Sequence, residues 1–119
     1  GLGEGRFYMS QEQYKKQFQN ILGFVPYPGT LNLKVDKNTA EMFLAAKQQQ
    51  YIAGFATKEL TFGGLKCYPV VLANSAKKMK GAIIIPDRSV HALDTVEVIA
   101  HVYLRQTLKL ENGKEVCIQ

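Results

Sequence analysis

Two neutral oxygen-bearing side chains, Thr30 and Asn32, stand one residue apart, directly after Pro26-Tyr27-Pro28-Gly29. Leu31 and Leu33 alternate with them. Successive side chains of a strand point to opposite faces, so the pattern predicts a strand with both leucines toward a core. Thr30 and Asn32 then share the other face. Hard neutral oxygens from only two side chains suit a Mg2+ ion that takes its remaining ligands from water and nucleotide phosphates. Pro28 fixes the approach of the chain, and Gly29 removes the side chain that would keep a ligand from the backbone. The plain alternative is a Pro-Gly turn entering an edge strand.

Two further groups bear on chemistry. Gly1, Gly3 and Gly5 alternate with Leu2 and Glu4 and end at Arg6. Such a run leaves backbone N–H groups unobstructed, as a phosphate-cradling loop needs, and Arg6 adds a positive fork. The spacing matches neither the dinucleotide fingerprint nor the P-loop, and a loose terminus reads the same way. Glu97 lies within Thr95–Ala100, where Val96, Val98 and Ala100 fall on one strand face and Thr95, Glu97 and Ile99 on the other. A half-buried carboxylate in such a run has a partner or a task; a solvent-facing sheet residue is the rival reading. His91 and His101 have no carboxylate spacing of a metal site and read as hydrogen-bonded structural residues.

The elements that must position these groups follow from periodicity. Ser10-Gln11-Glu12-Gln13 reads as a capping box with Ser10 as N-cap. Tyr14, Phe18, Ile21 and Leu22 recur at helical spacing and Gly23 supplies a stop, so a helix is expected from Gln11 to Leu22. Asp36-Lys37-Asn38 turns the chain after the Thr30–Val35 strand, and a short helix is expected from Thr39 to Gln49. Lys58–Phe62 and Leu65–Ala73 flank Gly63-Gly64, a hairpin signal, with Pro69 marking an edge or bulge. Asn74–Lys80 is a basic turn. Gly81–Pro86 is a continuous apolar strand closed by proline. Asp87–His91 forms the loop after it, and Asn112-Gly113 marks a last hairpin. Short strands, tight turns and no βαβ alternation argue for a mainly β fold, a small β-barrel with a helix closing one side; the alternative is an open α+β sheet.

Composition sets the outer bounds. The chain has 119 residues, is 46% hydrophobic and carries a net charge of +5. One domain over 1–119 is expected, with a core of its own. No apolar run approaches a membrane span, and no signal peptide opens the chain, so no membrane partner and a cytoplasmic location are expected. Cys67 and Cys117 have no metal spacing and sit among apolar neighbours, so two buried free thiols are expected. The positive charge suits phosphate-bearing ligands. Nucleic acid is a rival partner, but a basic recognition helix or an array of sheet aromatics is missing.

Taken together, these segments resemble the CTP-dependent riboflavin kinases, the archaeal-type flavokinase family, over nearly the whole chain. The resemblance is carried by Gly1-Leu2-Gly3-Glu4-Gly5-Arg6-Phe7-Tyr8, by Leu22-Gly23-Phe24 with Pro26-Tyr27-Pro28-Gly29-Thr30-Leu31-Asn32-Leu33, by Gly81–Pro86, and by Glu97-Val98-Ile99-Ala100 followed by Leu104-Arg105. It implies a six-stranded cradle-loop β-barrel with one or two short helices. It implies transfer of the CTP γ-phosphoryl group to riboflavin, giving FMN and CDP with Mg2+. By position, Gly1 to Arg6 would cradle the nucleotide phosphates, and Tyr103, Leu104, Arg105 and Gln106 would border the nucleotide. Thr30 and Asn32 would hold Mg2+, while Ser89 and Glu97 would touch the flavin. Glu97 is also the candidate general base. Gln106 stands where the family usually has glutamate, and His101 where it often has proline. The glycine run normally follows a first β-strand, so either the native chain extends upstream, into a strand or a further domain through which alone nucleic acid would be a partner, or a neighbouring segment fills the gap. The barrel itself is expected to be a monomer. A non-catalytic flavin- or nucleotide-sensing module is the rival function.

Overall fold

The computed structural model describes residues 9–74, 77–87, 94–102 and 116–119. The helix labelled α1 runs Glu12–Leu22 and ends as its sequence requires. Gly23 adopts φ 80°, a left-handed conformation that glycine takes at no steric cost, and its N–H reaches Gln19 O at 2.9 Å. Its start differs from expectation. Gln11, not Ser10, is the N-cap, and the Gln11 side chain makes no cap hydrogen bond. Tyr14 and Lys15 donate to Gln11 O at 3.1 and 3.0 Å, so the hydrogen-bond ladder begins one residue after the place the capping box assigned.

β1 is Leu31–Lys34. The second helix, α2, is Lys37–Ala45, starting and ending earlier than Thr39 and Gln49. Asp36 explains the shift: its carboxylate accepts from Thr39 N–H and Thr39 Oγ1, both at 2.9 Å, and so caps a helix that the turn reading placed later. The Thr39 backbone bond, then its hydroxyl bond, hold the Asp36 carboxyl below its ordinary value.

Among the described residues there are eight strands. After β1 come β2 Gln50–Ile52, β3 Phe55–Ala56, β4 Thr61–Phe62, β5 Leu65–Ala73, β6 Lys78–Pro86, β7 Thr95–Ala100 and β8 Cys117–Ile118. Six form one antiparallel sheet in the order β1-β7-β6-β5-β2, with β8 also on β5; β3 and β4 pair separately. The sheet curls into a half-barrel, and with the two helices the architecture is that of a small, mainly β barrel fold.

The Gly63-Gly64 hairpin does not form. β4 turns back to β3, pairing Phe55 with Phe62, and β5 pairs with β6 from Leu65↔Pro86 to Ala73↔Lys78. A two-residue glycine hairpin needs positive φ, and neither glycine has it. Both serve close approach instead. Gly63 O accepts the Tyr14 hydroxyl at 2.5 Å, and Gly64 leaves room for the Tyr51 side chain. Pro69, expected at an edge or bulge, lies within β5 opposite Ala82. The outer side of β5 is shared between β2 at Leu65–Cys67 and β8 at Leu72–Ala73, and Pro69, which has no N–H to donate, falls in the gap.

Both sheet faces are apolar. On one, α1 lays Tyr14 and Phe18, each fully buried, over Cys67, Ala82, Ile84 and Ile99. Burying an aromatic of this size contributes about 1.5–3 kcal/mol. Tyr14 also meets Phe55 edge-on at 4.9 Å between ring centroids, and Phe55 stacks on Phe62 at 4.7 Å. On the other face, Leu44 of α2 joins Val70, Leu72, Ile83 and Val98. Gln17 of α1 fastens the β2–β3 connection. Its amide donates to Ala53 O at 3.0 Å and its carbonyl accepts from Ala53 N–H at 2.7 Å, so the carboxamide stands in for a neighbouring strand.

The cysteines part company. Cys67 is buried as expected, and desolvation pushes its thiol up to about 12, whereas Cys117, in the short strand β8, is exposed. Two-residue β8 pairs with only two residues of β5, too little sheet to cover both of its faces. Thiolate is the reactive form. One thiol per native chain is therefore expected to react with a disulfide reagent near pH 8, and two after unfolding; two fast thiols in the native protein would contradict the burial of Cys67.

Candidate active site

The segment before β1 is fastened at both ends. Tyr27 N–H donates to Ala100 O at 2.6 Å, and Gly29 N–H turns back to Tyr27 O at 2.8 Å. The first bond docks the proline-rich stretch onto the end of β7, and the second tightens the chain immediately before Thr30. Phe24 and His101 place their rings 5.7 Å apart at the same end of β7. Proline stiffness and these bonds set the direction in which β1 leaves.

β1 then pairs with β7 in a register that puts Leu31 opposite Val98, Asn32 opposite Glu97 and Leu33 opposite Val96. Directly opposed residues project to the same face with Cβ atoms about 4.5–5.5 Å apart. Asn32 and Glu97 are thus neighbours, although distant in sequence. Leu31 is buried in the α2-side cluster, and Leu33 packs against it. Asn32 is exposed, Glu97 half-buried, and Thr30, half-buried, stands one residue before the first ladder pair.

On its other side Glu97 faces Ile84 of β6, and Ile99 follows it on the same strand face; both are buried in the α1-side cluster. The carboxylate therefore has an apolar floor on one side and an amide on the other. Burial raises its proton affinity above the ordinary glutamate value. A carboxylate so placed is a better proton acceptor near neutral pH than a solvated one.

The same cluster bears on Mg2+. Among the described residues no group of three or more His, Cys, Asp or Glu side chains could hold a metal ion by itself. The donors at the start of β1 are a hydroxyl and an amide, with one carboxylate across the ladder. That set fits a hard cation that keeps several waters and binds phosphate oxygens, and it does not resemble a zinc or Ca2+ cage. Thr30 and Asn32 would hold the ion, and Glu97 stands opposite Asn32 on the ladder.

Other expected site residues lie outside the described residues: Gly1 to Arg6, Ser89, His91, and Tyr103, Leu104, Arg105 and Gln106. Two cavities lined by described residues, of about 530 and 210 Å3, flank α2 and are bordered by residues such as Tyr68, Ile85, Phe43 and Val96. They open on the sheet face opposite Glu97, so neither contains the Asn32–Glu97 pair. Sequence reasoning nominated both members of that pair but had no signal that they stand opposite each other on the ladder. It missed a contact between Tyr51 and Asp87, for which nothing in the local sequence is diagnostic.

Comparison with known proteins follows this geometry. The family model described as CTP-dep_RFKase, domain of unknown function DUF120, matches residues 1–119. A protein of Methanococcoides burtonii named riboflavin kinase is 42% identical over 120 residues, covering 99% of this chain and 52% of its own length. One of Methanocella arvoryzae with the same name is 45% identical over 117 residues, covering 98% and 51%. One of Pyrobaculum islandicum is 40% identical over 121 residues, covering 100% and 56%. The chain spans about half the length of these curated relatives.

Proposed function

Since the chain belongs to the CTP-dep_RFKase (DUF120) family, we propose that it phosphorylates riboflavin, with CTP as donor and Mg2+ as the required ion. The observation that carries this reading is the register that sets Asn32 against Glu97 beside the Pro28-Gly29-Thr30 turn. It gathers hard oxygens and a proton acceptor at one place, which is what moving a phosphoryl group to an alcohol requires. The choice of CTP rests on the family's name and on the resemblance over nearly the whole chain. Riboflavin as acceptor rests on the names of the relatives.

Phosphoryl transfer depends on in-line positioning and charge neutralisation more than on covalent chemistry by the protein. Glu97 accepts the proton of the ribityl terminal hydroxyl as its oxygen bonds to the γ-phosphorus. The bond from that phosphorus to the bridging oxygen breaks, and the electron pair leaves with CDP. Thr30 and Asn32 would hold Mg2+, which when bound would supply charge neutralisation on the phosphate oxygens. Gly1 to Arg6 cradle the phosphates, Tyr103 to Gln106 border the nucleotide, and Ser89 meets the flavin.

The test is FMN formation from riboflavin and Mg2+, run in parallel with CTP and ATP and read by chromatography. FMN with CTP alone is expected. FMN with both donors keeps the kinase and removes the nucleotide preference. Binding of riboflavin or CTP without FMN would replace the kinase by a sensing module. Among the described residues no helix is long and apolar enough to cross a membrane.

A further inference from the structure

The pair at the centre of the site carries no positive charge of its own. Asn32 is neutral and Glu97 brings a carboxylate. A migrating phosphoryl group adds further negative charge, and its transfer depends on having that charge neutralised. β1 ends on a lysine that stands beside this pair. Lys34 lies two residues after Asn32 and opposite Thr95 of β7, while Asn32 lies opposite Glu97. Alternation puts Lys34 on the strand face of Asn32, and burial agrees: Leu31 is buried and Leu33 half-buried, whereas Asn32 and Lys34 are exposed. Thr95 is exposed as well, so the ladder step next to Asn32 and Glu97 is open to a ligand. Across that step Lys34 and Glu97 are diagonal neighbours, about 7–8 Å apart.

The charge of Lys34 is also unspent. Lys15 lies 3.8 Å from Glu12, and Lys47 sits over the Phe43 ring at 5.0 Å. The Lys34 side chain forms no ion pair or hydrogen bond with another described residue. Asp36, the acid two residues on, is occupied, because its carboxylate accepts from Thr39 N–H and Oγ1. An ammonium on a flexible four-carbon stem is a movable point charge with three donors, which suits a phosphate group that changes position during a reaction. We propose that Lys34 binds the phosphoryl group in this site, meeting its oxygens beside Asn32 and Glu97 during transfer and holding them as the phosphate of the flavin product. Lys34 stays protonated throughout; Glu97 takes the hydroxyl proton and CDP the electron pair. The inference rests on the riboflavin kinase reading given above.

Flavin fluorescence titrations of the full chain with riboflavin and with FMN, without nucleotide, test it, beside turnover at saturating CTP, riboflavin and Mg2+. Lys34→Gln is expected to weaken FMN binding about threefold to thirtyfold, between the worth of an exposed ion pair and that of a charge-assisted hydrogen bond, and to leave riboflavin affinity unchanged. The kcat should fall by a similar factor. Lys34→Arg keeps the charge and should retain most of the FMN affinity. Lys58→Gln removes the same unit of charge from the β3–β4 turn and should match wild type in both titrations. Unchanged FMN affinity in Lys34→Gln overturns the assignment and leaves Lys34 as a guard on the strand edge. So does an equal loss for both flavins, which would mean a disturbed fold, or an equal effect of Lys58→Gln, which would mean net charge alone. A wild type that makes FMN beside a normal Lys34→Gln sinks the role of Lys34 alone, whereas a wild type that makes no FMN removes the kinase reading and that role with it.

Discussion

Glu97→Gln is expected to lower kcat for FMN formation by about 10²–10⁴-fold, the usual worth of a general base, while the protein stays folded. The substitution keeps the shape and the hydrogen-bonding oxygen but cannot take a proton. Stability should not suffer. Burial raises the carboxyl's proton affinity in the folded chain, so its ionisation opposes folding as pH rises through that raised value. A neutral amide avoids that cost, so at pH 7 the variant is expected to melt at the wild-type temperature or slightly above. Activity carries the same signature. The acidic limb of the kcat profile should lie above the ordinary glutamate value of 4.5, because Glu97 must lose its proton before it can act. Unchanged turnover in Glu97→Gln would remove the base assignment. A limb that persists in the variant would assign that titration to another group.

Asn32→Ala should be the next most damaging change. It removes one of the two proposed Mg2+ donors, and the Mg2+ concentration for half-maximal activity is expected to rise on the order of 10–100-fold. Asn32 is exposed, so the fold should tolerate the loss. Thr30→Ala should act in the same direction, and Thr30→Ser, which keeps the hydroxyl, should restore most of the wild-type titration. A normal Mg2+ titration in both alanine variants would count against them as ligands. The ladder adds a sharper check. Asn32→Asp sets a second carboxylate directly opposite Glu97, where like charge disfavours ionisation further, so the acidic limb should move to higher pH. No movement would mean that the two side chains do not sense each other in solution.

Much of the architecture was legible because it depends on short-range rules. Thr95–Ala100 is the strand its alternation required, with the expected two faces. The apolar run from Gly81 to Ile84 is buried throughout, as a strand covered on both sides must be. Tyr14 and Phe18, one helical turn apart, both reach the core. Errors arose where the outcome turned on partners elsewhere in the chain. Gly63-Gly64 has the composition of a hairpin, but Tyr14 from α1 and Tyr51 from β2 claim the space around it. Cys117 has apolar neighbours in sequence and an open flank in space.

The candidate site divides along the same line. Alternation alone separated Asn32 from Leu31 and Leu33 and marked Glu97 as out of place among apolar residues, whereas Thr30, expected on the same strand face as Asn32, falls just before β1. Alternation needs no knowledge of any other segment. Only the tertiary structure decided that Asn32 faces Glu97, that Ile84 gives the carboxylate an apolar floor, and that Tyr51 reaches Asp87 across Gly64. The reason is register. Sliding β1 by one residue along β7 would leave each strand's local pattern intact and still break the Asn32–Glu97 pair. What holds the register is the simultaneous burial of Leu31 beside Val98 and the docking of Tyr27 on Ala100, contacts that exist only once the chain has closed on itself.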